Sequence, residues 1–352
     1  MSVELDRALA IARLLRWLGP WTPEHARPLD TARRTISVEG RFDAWVYRSP
    51  RPPIGALLVL PGLHYLGPAD PRLDRFLAIL ADAGLLVLCP FLPELRGLGV
   101  GPSVVRDALA SFDALSSLPE LPRGVRPGVF SISFGSYPAI HVAASREVGH
   151  ALLFGGYASF DDAIRFSLEG NPERPHDPLN RPVVFLVLFD HLDDLPRDPA
   201  RLRAAWIEYV RRTWGKPAMK ERAAHEEVAR AIAARLPEDA RELFLVGTGV
   251  APGGPARIER ALARGRADLL HLDPAPACRA IKAPVTIVHG TDDDVIPHTH
   301  AAMLAAHIPH ARTLLTGLYA HTGRGALDPR ALSREASALA GILSAMIDAG
   351  RS

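Results

Sequence analysis

The sequence predicts an α/β protein with a mostly parallel central sheet, helices on both faces and a mainly helical insertion. Three observations carry that expectation. Short apolar runs alternate with helix-patterned segments through the first half of the chain, the rhythm of strand, crossover helix and parallel strand. The interior runs are continuously apolar rather than alternating, as strands are when both faces are covered. The rhythm stops after Gly156 and resumes near Ala283, and the stretch between is rich in helix formers, Arg, Trp and Tyr with few strand signals.

Taken in order, residues 5 to 18 read as an amphipathic helix docked on the core, with a dimer contact or a peripheral membrane contact as the other readings. "TISVEG" and "FDAWVYRS" follow as an antiparallel-looking strand pair. Then come the strand "GALLVLPG", the helix "PRLDRFLAILADAG", the strand "LLVLCP", the helix "SVVRDALASFDALSSL", the strand "GVFSIS", the helix "GSYPAIHVAASREV" and the strand "HALLFGG". After the insertion, "PVTIVHG" reads as a strand, about Pro297 to His307 as a helix, "TLLTG" as a strand and residues 329 to 347 as a last helix. Within the insertion "PVVFLVLFDHL" fits either a strand or a helix, with its helical surroundings favouring the latter, and "GTGVAPGGPA" reads as a loop or hinge. The expected organisation is an N-terminal helical segment at 1–32, an α/β core at 33–160 and 276–352, and a helical cap at 161–275.

Composition narrows the function classes. A formal net charge of +2 over 352 residues gives no sign of a nucleic-acid surface or a strongly acidic partner. Cys89 and Cys278 stand far apart with no metal-ligand or disulfide-framework spacing, which points to a reducing cytoplasm. The N-terminal apolar stretch is broken by Arg7, Arg13 and Arg16 and has no small-residue cleavage site, so it does not read as a signal peptide. No segment has the roughly 20 apolar residues that an integral membrane span needs.

Chemistry enters at "VFSISFGSY", residues 129 to 137. A serine nucleophile on a strand-to-helix turn needs small residues two before and two after it, and a helix N-terminus beneath the developing negative charge. Ser133 meets that pattern, with Ser131 before and Gly135 after, whereas Ser131 lies within the strand. Pro138 falls in the first helical turn, where its missing N–H costs little. A buried serine in a tight connection is the alternative. Serine holds its proton at neutral pH, so it needs a base, and the base needs an orienting acid. "TIVHGTDDDVIP" places Asp292, Asp293 and Asp294 just past a strand, and "ARTLLTGLYAHTG" places His321 in a Gly-flanked loop past the next one. His298, His300, His307 and His310 are expected mostly at the surface. Acid and base thus follow Ser133 in the chain order of one convergent triad solution.

These segments resemble those of the α/β-hydrolase superfamily, from about residue 33 to 160 and from 280 to the end. "FSISFGS" is similar to its nucleophile elbow, "HGTDDDVIP" to its acid loop and "LYAHTG" to its histidine loop. The resemblance implies an eight-stranded core, a cap inserted after the sixth strand, and a triad of Ser133, Asp293 and His321 at the C-terminal strand edge. It also implies an oxyanion hole from the backbone amides of Leu63, in "VLPGLHYLGP", and Phe134. Two departures stand out: the leading elbow glycine is Ser131, and the His-Gly before the oxyanion loop is Pro61-Gly62. Serine at the elbow sets the chain apart from the dehalogenase and epoxide hydrolase branches, which use aspartate. His64 and Tyr65 beside that loop either contact substrate or pack there. If Trp206, Tyr209, Trp214 and "VVFLVLF" face the elbow, the pocket is apolar and suits an acyl or aryl ester; otherwise they form the core of the cap. "FDHLDD" has no credible metal spacing. The expectation is a carboxylesterase-like serine hydrolase acting on a small-molecule ester or acyl substrate, with no metal or organic cofactor, no nucleic-acid partner and a homodimer as an open reading. Acyltransferase or thioesterase chemistry on the same scaffold, or a non-catalytic binding protein, are the alternatives.

Overall fold

A computed structural model describes residues 3–351, apart from residues 20, 24, 172–174, 321, 322 and 325–331. It divides into two compact units: residues 1–158, 274–292 and 298–352, and residues 159–273 with 293–297.

The first unit contains an eight-stranded sheet: β1 (Ala32–Val38), β2 (Phe42–Arg48), β3 (Gly55–Leu60), β4 (Leu85–Pro90), β5 (Gly128–Ile132), β6 (Ala151–Phe154), β7 (Val285–Gly290) and β8 (Ala311–Thr316). Their spatial order is β1-β2-β4-β3-β5-β6-β7-β8. β2 runs antiparallel to β1 and β4, and every other pairing is parallel. That is the α/β-hydrolase fold, with the helical insertion leaving the chain after the sixth strand.

The apolar runs behave as double-sided burial requires. β3, β4 and β7 are buried at every position, while β1 and β8 at the two edges stay largely open. Alternate residues split between the faces. Leu57, Val59, Val87, Cys89, Phe130, Leu152 and Val288 share one core with Ala10 and Leu14 of the helix Val3–Leu18, with Leu77 and Leu80 of Pro71–Asp82, and with Ile342, Leu343 and Met346 of Leu332–Arg351. Each fully buried Leu, Ile or Val adds about 1.5–3 kcal/mol relative to exposure. The N-terminal helix therefore docks on the core, and Arg7 fastens it to the last helix through Asp348 at 2.7 and 2.8 Å.

Capping sets where the helices begin. Asp70 accepts the Arg72 amide at 2.9 Å, and Pro71 fills a first-turn position that has no intrahelical acceptor. Ser159 does the same for the helix Phe160–Glu169 through the Asp162 amide at 3.3 Å.

In the second unit the ambiguous "PVVFLVLFDHL" is helical over Arg181–Val187, and Gly247 and Gly254 bound the loop expected between the helices Glu238–Gly247 and Gly254–Leu269. The other helices of this unit are Phe160–Glu169, Pro199–Thr213 and Ala224–Ala233. The segment 293–297, which the sequence reading assigned with the sheet, packs with these helices. Among the described residues no helix is long and apolar enough to cross a membrane.

Candidate active site

β3 and β5 are parallel neighbours, with Leu60 opposite Ser131, so the chain leaves both strands at adjacent points of one sheet edge. Pro61-Gly62-Leu63 exits from β3 and Ser133 from β5. Ile132 is still extended, at φ −125° and ψ 129°, and Ser133 then swings to φ 53° before the short helical turn Ser133–Gly135 and the helix Ser136–Ser145. A left-handed serine costs on the order of 1–2 kcal/mol, and such strain persists where surrounding structure over-determines it. Two glycines supply that over-determination. A Cβ on Gly135 would lie 2.4 Å from the Leu60 carbonyl and 2.6 Å from that of Pro61, so only glycine lets the turn tuck beneath the end of β3. A Cβ on Gly62 would lie 3.1 Å from Ser133 Cβ and 3.6 Å from its Oγ, so the glycine loop passes directly against the serine.

Ser131 is fully buried in β5 and its Oγ has no hydrogen-bond partner, as expected of a small filler rather than a reactive group. Phe134 is buried beneath two tyrosines, stacked on Tyr157 at 5.5 Å between ring centres and tilted against Tyr137 at 5.8 Å. That packing fixes the peptide whose N–H follows the serine. Burial pushes the Tyr137 phenol up to about 12.

His64 packs on Tyr65, ring centres 4.7 Å apart. Its Nδ1 accepts the Leu66 amide at 3.3 Å and its Nε2 lies 3.4 Å from Asp70 Oδ2, so the ring ties the glycine loop to the cap of the following helix. Burial holds the His64 pKa below the ordinary histidine value, against the pull of Asp70. With Nδ1 accepting, the neutral ring carries its proton on Nε2.

Of the three adjacent aspartates, Asp292 is exposed, Asp294 is half-buried, and Asp293 is 2% exposed. Asp293 Oδ1 accepts the Val295 and Ile296 amides at 2.9 and 2.8 Å, which holds the carboxylate in a fixed direction. The exit of β8 is pinned separately: Glu335 Oε2 accepts the Thr316 hydroxyl at 2.8 Å and the Gly317 amide at 2.9 Å. Beyond it, Tyr319–Ala320 pairs with Gly323–Arg324 as a short antiparallel ribbon where a plain loop was expected. His321 lies outside the described residues.

The remaining histidines depart in part from expectation. His310 is exposed, but His300 is 2% exposed, with Nδ1 accepting the Ala158 amide at 3.0 Å. Trp206 and Tyr209 are fully buried inside the helical unit and present no pocket surface. Trp206 packs on Phe185 and Phe189 at 5.4 and 6.0 Å and donates Nε1–H to the Phe244 carbonyl at 3.2 Å. These rings serve the interior of the insertion, sharing it with Phe185 and Leu186 of Arg181–Val187, Leu202 of Pro199–Thr213 and Leu243 and Phe244 of Glu238–Gly247. In "FDHLDD", Asp193 and Asp194 are taken by Arg260 and Arg257.

The strand order and the left-handed serine beneath a glycine loop define the class of fold as α/β-hydrolase. No protein-family model matches the chain, and no curated protein matches it. Among solved structures it is similar to an esterase from Pyrococcus furiosus, at 13% identity over 95% of this chain and 96% of that one, with a TM-score of 0.49. It is also similar to the acylaminoacyl peptidase of Pyrococcus horikoshii, at 11% identity over 89% of this chain and 40% of that one, with a TM-score of 0.47. A serine hydrolase from the bacterium Cycloclasticus zankles matches at 14% identity over 89% of this chain and 96% of that one, with a TM-score of 0.45. The chain thus spans 40% or less of the length of the acylaminoacyl peptidases it is similar to.

Proposed function

We propose that the protein is a serine hydrolase that cleaves an ester or related acyl bond through Ser133, His321 and Asp293. The observation that carries this reading is the backbone of Ser133, held at φ 53° with Gly62 against its side chain. A serine there stands at a sharp strand-to-helix turn, the position that nucleophile-elbow chemistry uses.

In this reading His321 takes the Ser133 proton as Oγ attacks the acyl carbonyl, and the carbonyl oxygen becomes an anion. The amides of Leu63 and Phe134 stabilise that anion, each contributing about 3 kcal/mol. His321 then protonates the leaving group, and water resolves the acyl-enzyme by the same route in reverse. Asp293, its Oδ1 fixed by two amides, holds the imidazole in one tautomer and offsets its positive charge.

The test is covalent. The native protein treated with a fluorophosphonate probe and digested should carry the label on Ser133, and the Ser133→Ala protein should carry none. Absence of label from the native protein, or a label on another serine, overturns the reading. p-Nitrophenyl esters of rising chain length, set against matched anilides, then fix the acyl pocket and the bond cleaved.

A further inference from the structure

The turn that carries Asp293 is held by backbone and side-chain groups of the helical unit to which it belongs. Ser167 donates its hydroxyl to the Val295 carbonyl at 3.1 Å, and the Asp177 amide donates to the Asp294 carbonyl at 3.0 Å. Lys220 Nζ completes the arrangement, 2.8 Å from Asp177 Oδ2 and 3.3 Å from Asp294 Oδ2.

Asp177 is 2% exposed, and its Oδ1 accepts the Leu179 amide at 2.9 Å, capping the helical turn Pro178–Asn180. Its carboxylate is thus fixed by backbone on one side and by the ammonium on the other. Burial draws the Lys220 pKa down, but Asp177 and Asp294 more than offset this and raise it on balance, so Lys220 is held as the ammonium. Just after Lys220 the chain passes through two left-handed non-glycine residues, Arg222 at φ 48° and Ala223 at φ 53°, before entering the helix Ala224–Ala233. Removing the ammonium would leave two carboxylates facing each other, one of them buried and uncompensated. The turn 293–297 carries one of those carboxylates, so it would shift.

We propose that Lys220 is a positioning residue for the acid of the triad: by bridging Asp177 and Asp294 it fixes the turn whose amides orient Asp293. This rests on the serine hydrolase reading above. Residues that misplace a reacting group by about 1 Å cost on the order of 100-fold in rate without touching substrate.

The experiment measures p-nitrophenyl butyrate turnover and fluorophosphonate labelling for the native protein, Lys220→Met, Lys220→Arg and Ser167→Ala. The Met variant should lose about 10- to 100-fold in kcat with KM nearly unchanged, and Arg should restore most of it. Ser167→Ala removes an independent anchor of the same turn without stranding a buried charge, and should lower kcat less, again at constant KM. It keeps the question open to refutation if the Met variant does not fold. Native kcat in the Met and Ala variants, a loss expressed in KM alone, or an Arg variant no better than Met overturns the clamp. A native protein that neither turns over nor takes the label at Ser133 overturns the hydrolase reading and the clamp with it. A labelled, active native protein matched by all its variants overturns the clamp alone.

Discussion

The Ser133 elbow and the Asp293 turn hold their side chains by different physics. At the elbow the constraint is steric. Gly62 and Gly135 let the chain pack closely around Ser133, which sits at φ 53°. At the acid turn the constraint is polar: two amides on Asp293, a hydroxyl on Val295, and an ammonium between Asp177 and Asp294. Close packing resists displacement steeply and ignores salt, whereas charges and hydrogen bonds yield gradually and respond to their partners. The first arrangement should therefore fail abruptly under substitution and the second by degrees.

Substitutions can break or sharpen that contrast. Ser133→Ala should lower kcat by about a million-fold, measured with p-nitrophenyl esters, because nothing replaces the nucleophile. Asp293→Asn should cost about ten-thousand-fold through the wrong imidazole tautomer, while Asp292→Asn should leave turnover close to native. Equal losses in the two Asn variants would move the acid to another register. Gly135→Ala pushes a methyl group to 2.4 Å from the Leu60 carbonyl and should destabilise the fold by about 1–3 kcal/mol in urea titration, with activity lost together with the elbow. A small, graded loss there would show that the elbow is as pliable as the acid turn. The smallest effect concerns strain alone. Ser133→Gly should unfold at higher urea than Ser133→Ala by about 1 kcal/mol, since glycine occupies the left-handed region without penalty.

Legibility in the sequence followed the range of the interactions. β3, β4 and β7 announced themselves as unbroken apolar runs because burial on both faces is a local compositional requirement. The choice of Asp293 over its neighbours came from the register of the resemblance, whereas its burial beside exposed Asp292 was not legible in a run of three identical residues. The positive φ of Ser133 was legible only indirectly, through the small residues around it, since nothing about a serine marks a left-handed backbone. Trp206 and Tyr209 were read as possible pocket residues because side-chain type does not say which way a helix faces. Their burial is decided by Phe185, Phe189 and Phe244, which come from other helices. His300 was grouped with histidines expected mostly at the surface for a like reason, its partner Ala158 lying 142 residues away in sequence. Lys220 sits 74 residues from Asp294, in a stretch with no motif, and only the folded chain brings the two together.

The membership of Asp293–Pro297 in the helical unit bears on how this chain can be redesigned. Trimming residues 159–273 to a short linker would spare every strand of the sheet, and on paper would look like removal of an accessory. The Asp293 turn would then lack Ser167, Asp177 and Lys220, the residues it is bonded to. A graft of another insertion would inherit the same fault unless equivalents of those three residues travelled with it. The helical unit is in this respect not interchangeable, and a chimera library built on the scaffold should keep it and the 293–297 turn as a single cassette.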